Sequence, residues 1–146
     1  MRQYRHSGAG VIEMAFVQRK VPFVGSVDTN PETKPFWDGC AAGKLLLPKC
    51  SACGKSHWYP RGLCPHCFSD KLEWVAASGK GKIYTVSVME RAEVPYAIAY
   101  VTLAEGPSMM TNIVDCDLGA LKIGQEVKLK FVPSEGGPPM PMFTPV

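Results

Sequence analysis

Cys50-Ser51-Ala52-Cys53 and Cys64-Pro65-His66-Cys67 form two C-x2-C pairs separated by ten residues. Two pairs at such spacing bring four thiolates within reach of one tetrahedral ion. Four sulfur donors leave no coordination position open for water or substrate, so the expected metal, Zn2+, shapes the fold and performs no hydrolysis. The same donor set also suits iron. Gly54 follows the first pair, where a knuckle turn favours a residue that tolerates positive φ. Pro65 stiffens the second pair. His57 and His66 lie close enough to be considered as ligands, but with four cysteines available they read as surface or packing residues. A redox C-x-x-C pair usually stands alone near a βαβ pattern, and a disulfide framework needs a secretory context; neither describes this stretch.

The remaining residues offer little for catalysis. Cys40 and Cys116 are the two cysteines outside the pairs. Cys116 lies between Asp115 and Asp117, whose charges raise a thiol pKa and weaken the nucleophile. No neighbouring histidine or paired carboxylates suggest an activated group. Over 146 residues the formal net charge is +3, with 46% hydrophobic and 20% charged residues. That composition suits a globular protein, and its charge is too weak to indicate nucleic-acid binding by itself. Cysteines at metal-ligand spacing fit a reducing cytosol, so a cytoplasmic location is expected. No apolar run approaches the roughly 20 residues of a membrane span, and Glu13, Gln18, Arg19 and Lys20 interrupt the N-terminal apolar stretch that a signal peptide would need.

The elements that would position the cysteines follow from local pattern. Residues 1–28 read as an irregular arm, with Val21 to Val24 extended against the domain or a partner. Residues 29–43 read as a leading helix: Asn30 caps it, Pro31 takes the first helical position, Thr29 with Glu32 fits a capping box, and Gly43 stops it. Phe36, Trp37 and Cys40 fall on one face at helical spacing. Residues 44–71 read as the zinc ribbon, with strands at Lys44–Pro48 and Ser56–Arg61. Residues 72–133 carry period-two strands: Leu72–Ala77, Ile83–Met89, Tyr96–Leu103, Met109–Val114 and Glu126–Val132. Glycines at 79 and 81 are placed to bend the second of these. Several strands without crossover helices predict a mainly β chain whose second half is a small antiparallel OB-fold barrel; a two-sheet sandwich is the alternative. Residues 134–146, rich in Pro and Met, read as a stiff extended tail.

Taken in order, these features resemble the zinc-ribbon plus OB-fold proteins associated with acyl-CoA metabolism. The resemblance rests on Phe36-Trp37, Gly43-Lys44-Leu45, Cys50-x2-Cys53-Gly54, Tyr59-Pro60-Arg61, Cys64-Pro65-x-Cys67, Leu72-Glu73-Trp74, Ser78-Gly79-Lys80-Gly81 and Ile123-Gly124-x-x-Val127. It implies a non-catalytic zinc-binding subunit partnered with a thiolase-fold enzyme acting on acyl-CoA by thiolysis, condensation or retro-aldol cleavage. Such a subunit bridges its partners and can help to hold coenzyme A. Arg61 suits a phosphate bidentately, and Lys55, Lys80 and Lys82 can add point charges. Trp37 or Trp58 could stack on the base. Phe36 and Trp37, with Met140, Met142 and Phe143 of the tail, are the expected partner contacts. A single-stranded nucleic-acid-binding module is the competing function, since zinc ribbons and OB barrels occur in both settings. Tyr84, Tyr96 and Tyr100 would then supply stacking faces.

Overall fold

A computed structural model describes residues 19–23 and 30–146. The rest of the expected arm, including Val24, lies outside the described residues, as does Thr29, the proposed capping partner of the leading helix. Within the arm, Phe23 N–H donates to the Glu135 carbonyl at 3.1 Å, and Glu135 N–H donates to that of Val21 at 2.9 Å. Val21 thereby covers Val114, Val132 and Met142, so this extended piece lies on its own domain.

The leading helix begins where expected. Asn30 Oδ1 accepts from Glu32 N–H at 3.2 Å, and Pro31 opens the first turn. That turn, Pro31–Thr33, is a 3-10 helix, and α1 continues through Lys34–Ala41. Gly43, at φ +71°, ends it. Its N–H reaches the Cys40 carbonyl at 3.0 Å, while Lys44 N–H reaches that of Gly39 at 2.8 Å, the paired bonds of a Schellman cap. Phe36, Trp37 and Cys40 are all buried against Leu45, Leu47 and the barrel residues Ile83 and Val101. The expected partner face of the helix is therefore taken up by the chain's own core.

The ribbon differs from expectation. Strand β1 (Leu46–Cys50) pairs antiparallel with β2 (Leu72–Ala76), from Leu46 opposite Ala76 to Cys50 opposite Leu72. The second ribbon strand is thus Leu72–Ala76, which the sequence reading had placed at the start of the barrel. Ser56–Arg61 contributes only a bridge from Ser56 to Lys49. Pro60 has no N–H to donate to a ladder.

The barrel closes in the order β3 (Lys80–Met89), β4 (Tyr96–Leu103), β5 (Ser108–Ile113), β7 (Met140–Pro145), β6 (Glu126–Val132), with β6 returning to β3. The β5–β7 contact is parallel and the others are antiparallel, the OB arrangement rather than a sandwich. The register slips between Ile83 and Thr85, so the inward set of β3 changes from Gly81 and Ile83 to Val86 and Val88. Residues 140–145 are a strand of this barrel, where the sequence suggested a stiff extended tail. The carbonyls of Pro141 and Phe143 face β5, accepting from Thr111 Oγ1 at 3.1 Å and Val114 N–H at 2.8 Å. N–H and C=O of one strand residue share a side, so Pro141 and Pro145 lack donors only toward β5. The ladder to β6 runs through Met140, Met142 and Thr144.

Gly81 marks the tightest approach inside the barrel. A Cβ there would lie 2.5 Å from Val101 Cγ1 and 3.0 Å from the Thr102 carbonyl oxygen. Backbone cannot yield as a flexible side chain can, so Gly81→Ala is expected to destabilise the protein by about 1–3 kcal/mol. Urea titration checks this; an unchanged midpoint would contradict the packing argument.

Candidate metal centre and the cleft beside it

The knuckles bring the four cysteines together. Their Sγ atoms all lie within 4.8 Å of one another. Cys50 and Cys67 Sγ are 3.7 Å apart, as are Cys53 and Cys64 Sγ. A tetrahedron with Zn–S bonds of about 2.3 Å has edges of about 3.8 Å, so the donor set fits a zinc ion. Cys50 and Cys64 are buried, Cys53 is half-buried and Cys67 is exposed. The backbone N–H of Cys53, assisted by that of Ala52, holds the Cys50 thiol below its ordinary pKa and favours the thiolate a metal requires. Neither His57 nor His66 belongs to the cluster.

The other two thiols are inert by environment. Burial pushes Cys40 up to about 12. Burial, then the charges of Asp117 and Asp115, raises Cys116.

The helix is tied to the ribbon by Glu32 Oε1, which accepts from Gly62 N–H at 2.9 Å. It is also tied by a run of edge-to-face rings. Phe23 and Trp37 have centroids 5.1 Å apart, Trp37 and Phe36 4.8 Å, Phe36 and Trp58 4.8 Å, and Trp58 and Tyr59 5.3 Å. Trp37 is therefore occupied by the core and has no free face for a base, while Trp58 remains half-buried at the ribbon surface.

Beside the metal centre a cleft of about 720 Å³ opens between the first knuckle and the β4–β5 turn. Lys49, Lys55, His57, Trp58, His66 and Glu105 line it. Burial, then the charges of His66 and Arg61, lowers the pKa of His57, with the Arg61 backbone acting in the opposite sense. Among the described residues neither His57 ring nitrogen has a well-formed hydrogen bond. Glu105 accepts from Ser78 N–H at 2.6 Å through Oε1, while its buried Oε2 has no partner among the described residues. The sequence reading missed Glu105 because its partner is distant in the chain and no local pattern marks it.

The residues expected to meet coenzyme A lie on the ribbon and on β3. Lys55 lines the cleft and Arg61 is exposed on the ribbon. Lys80 and Lys82 are exposed on β3, where Lys82 Nζ lies 3.8 Å from Glu126 Oε1. Of the expected tail contacts, Phe143 is fully buried inside the barrel, Met142 lies beneath the arm and Met140 is half-buried. Closure of the barrel buries Phe143, and the arm segment carrying Val21 covers Met142 on the opposite face of β7.

The architecture defines a class: a rubredoxin-like zinc ribbon joined to an OB-fold barrel. Comparison with known proteins makes this specific. The family model described as the ChsH2 rubredoxin-like zinc ribbon domain matches residues 37–73, and the ChsH2 C-terminal OB-fold domain matches residues 74–132. A DUF35 domain-containing scaffold protein of Methanothermobacter thermautotrophicus is 39% identical over 94 residues, covering 60% of this chain and 71% of that protein. A probable enoyl-CoA hydratase alpha subunit of Thermomonospora curvata is 31% identical over 116 residues, 75% of this chain but only 36% of that longer protein. Among solved structures, the Ltp2-ChsH2(DUF35) aldolase contains a chain with TM-score 0.73 and 28% identity, covering 81% of this chain and 97% of that one. The chain belongs to the DUF35 scaffold family, with the ChsH2-type zinc ribbon and OB-fold domains.

Proposed function

We propose that the chain is a non-catalytic, zinc-stabilised subunit of a thiolase-like acyl-CoA enzyme, bridging the catalytic subunits and contributing to the coenzyme A site. The reaction served is 3-oxoacyl-CoA thiolysis or condensation, or a related retro-aldol cleavage, in the cytoplasm. The observation that carries this reading is the match, across nearly the whole length of its counterpart, to a chain of a two-protein aldolase. The local chemistry agrees. Four thiolates saturate the metal, and the two free thiols sit in surroundings that disfavour a thiolate. Among the described residues no helix is long and apolar enough to cross a membrane.

The test is a pull-down from the native host with the tagged chain at low salt, identifying the co-purifying protein by mass. A thiolase-fold subunit in fixed stoichiometry is expected; recovery of nucleic acid without such a subunit would replace this function by the single-strand-binding one. Within the complex, Arg61→Ala should weaken coenzyme A or partner binding by about tenfold, the order expected for one charge-assisted contact. Zinc content should stay unchanged. Native affinity in that variant would remove Arg61 from the site.

A further inference from the structure

The two knuckles make the same turn with different residues. Each is closed by the N–H of the residue after its second cysteine: Gly54 to the Cys50 carbonyl at 2.8 Å, and Phe68 to the Cys64 carbonyl at 2.8 Å. Both residues occupy the left-handed region, at φ +75° and +62°. Glycine enters that region freely, whereas a bulky side chain is strained there. The strain has no evident return within the chain, because Phe68 is 79% exposed. Leu63, immediately before Cys64, is 53% exposed, so the same knuckle presents a second large apolar side chain. A residue held in an unfavourable conformation, with its ring in water, points to a role met outside the chain.

We infer that Phe68, with Leu63 on the same knuckle, is the apolar anchor by which the ribbon seats in a socket on the catalytic partner subunit. This rests on the function proposed above and adds the surface that performs it. Cys64 and Cys67 flank the turn and their metal fixes its backbone, so the ring is presented rigidly and little freedom is lost on docking. Protruding aromatic anchors in pockets carry a large share of interface affinity. A second copy of the chain fits less well. The matched chain of known structure belongs to the Ltp2-ChsH2(DUF35) aldolase, which favours an enzyme subunit as the occupant.

Phe68→Gly installs the residue type that the first knuckle uses. The variant should keep one zinc per chain and melt at or above the native temperature. Titrated against the thiolase-fold subunit that co-purifies with the unmodified chain, it should bind at least about tenfold more weakly, as for loss of an interface anchor. Phe68→Asn, which tolerates the same φ with less backbone freedom than glycine, should bind equally weakly, excluding flexibility as the cause. Native affinity in both variants would overturn the anchor and leave the scaffold function standing. An unmodified chain that holds no thiolase-fold subunit would overturn both. A chain that self-associates without any enzyme, and ceases to do so on Phe68→Gly, would assign the ring to a second copy and overturn the inference.

Discussion

A Cys64→Ser chain should lose its metal and, with it, the folded ribbon. Cys64 is fully buried and its Sγ forms one edge of the tetrahedron with Cys53. Structural zinc sites in small domains bind with about 10–16 kcal/mol of apparent free energy near neutral pH, as much as the whole stability of an ordinary domain. The damage should not stop at the knuckles. Leu45 and Leu47 of the ribbon share one apolar cluster with Ile83, Val101 and Phe143 of the barrel. Elemental analysis with a thermal melt checks the prediction, and prolonged chelation of the unmodified protein should reproduce the result. Full zinc content with an unshifted melt in Cys64→Ser would mean that the four thiols are not a single site.

Removal of residues 138–146 should prevent the barrel from folding. Residues 134–146 read in sequence as an extended tail that meets a partner, but the pairing of β7 makes their loss a failure of folding. Its loss exposes β6 along the whole register from Val127 to Val132 and removes the Phe143 contact that joins β5. Phe143 alone, fully buried, is expected to contribute about 3–5 kcal/mol, measured as the loss on Phe143→Ala by denaturant titration. A loss below about 1 kcal/mol would show that this site collapses around the vacancy or is not filled as described.

The metal centre was legible because ligand chemistry imposes its own spacing, and four cysteines over so short a stretch need little long-range information. The strand Glu126–Val132 was legible for a comparable reason: Val127 and Lys128 alternate in burial as the residues alternate in polarity. Helix α1 announced itself through Asn30, Pro31 and Gly43. What stayed hidden depends on partners far along the chain. Prolines at 141 and 145 suppress any local strand signal, and only the choice of side on which their missing N–H groups fall makes β7 permissible. The slip at Tyr84 inverts the inward residues of β3, which a single alternating pattern cannot show. Leu72–Ala76 reads as a strand but does not say whether it pairs backward with the ribbon or forward with the barrel. The same ambiguity affected the proposed contacts. Phe36, Trp37 and Phe143 look like anchors in isolation and are core residues once the barrel closes, whereas Phe68 gave no signal until its backbone conformation was known.

The position of β7 in the sheet sets an order on synthesis. The metal knuckles and both ribbon strands emerge from the ribosome before any barrel strand, and every cysteine ligand lies within one short stretch, so the ribbon can close around its ion early. The barrel cannot. β5 and β6 present unpaired edges until Met140–Pro145 arrive to join them. During that interval the nascent chain carries open strand edges, the feature that invites pairing between chains. Conditions that slow the last steps of elongation should therefore favour aggregates of metal-loaded chains with unclosed barrels over aggregates of metal-free protein.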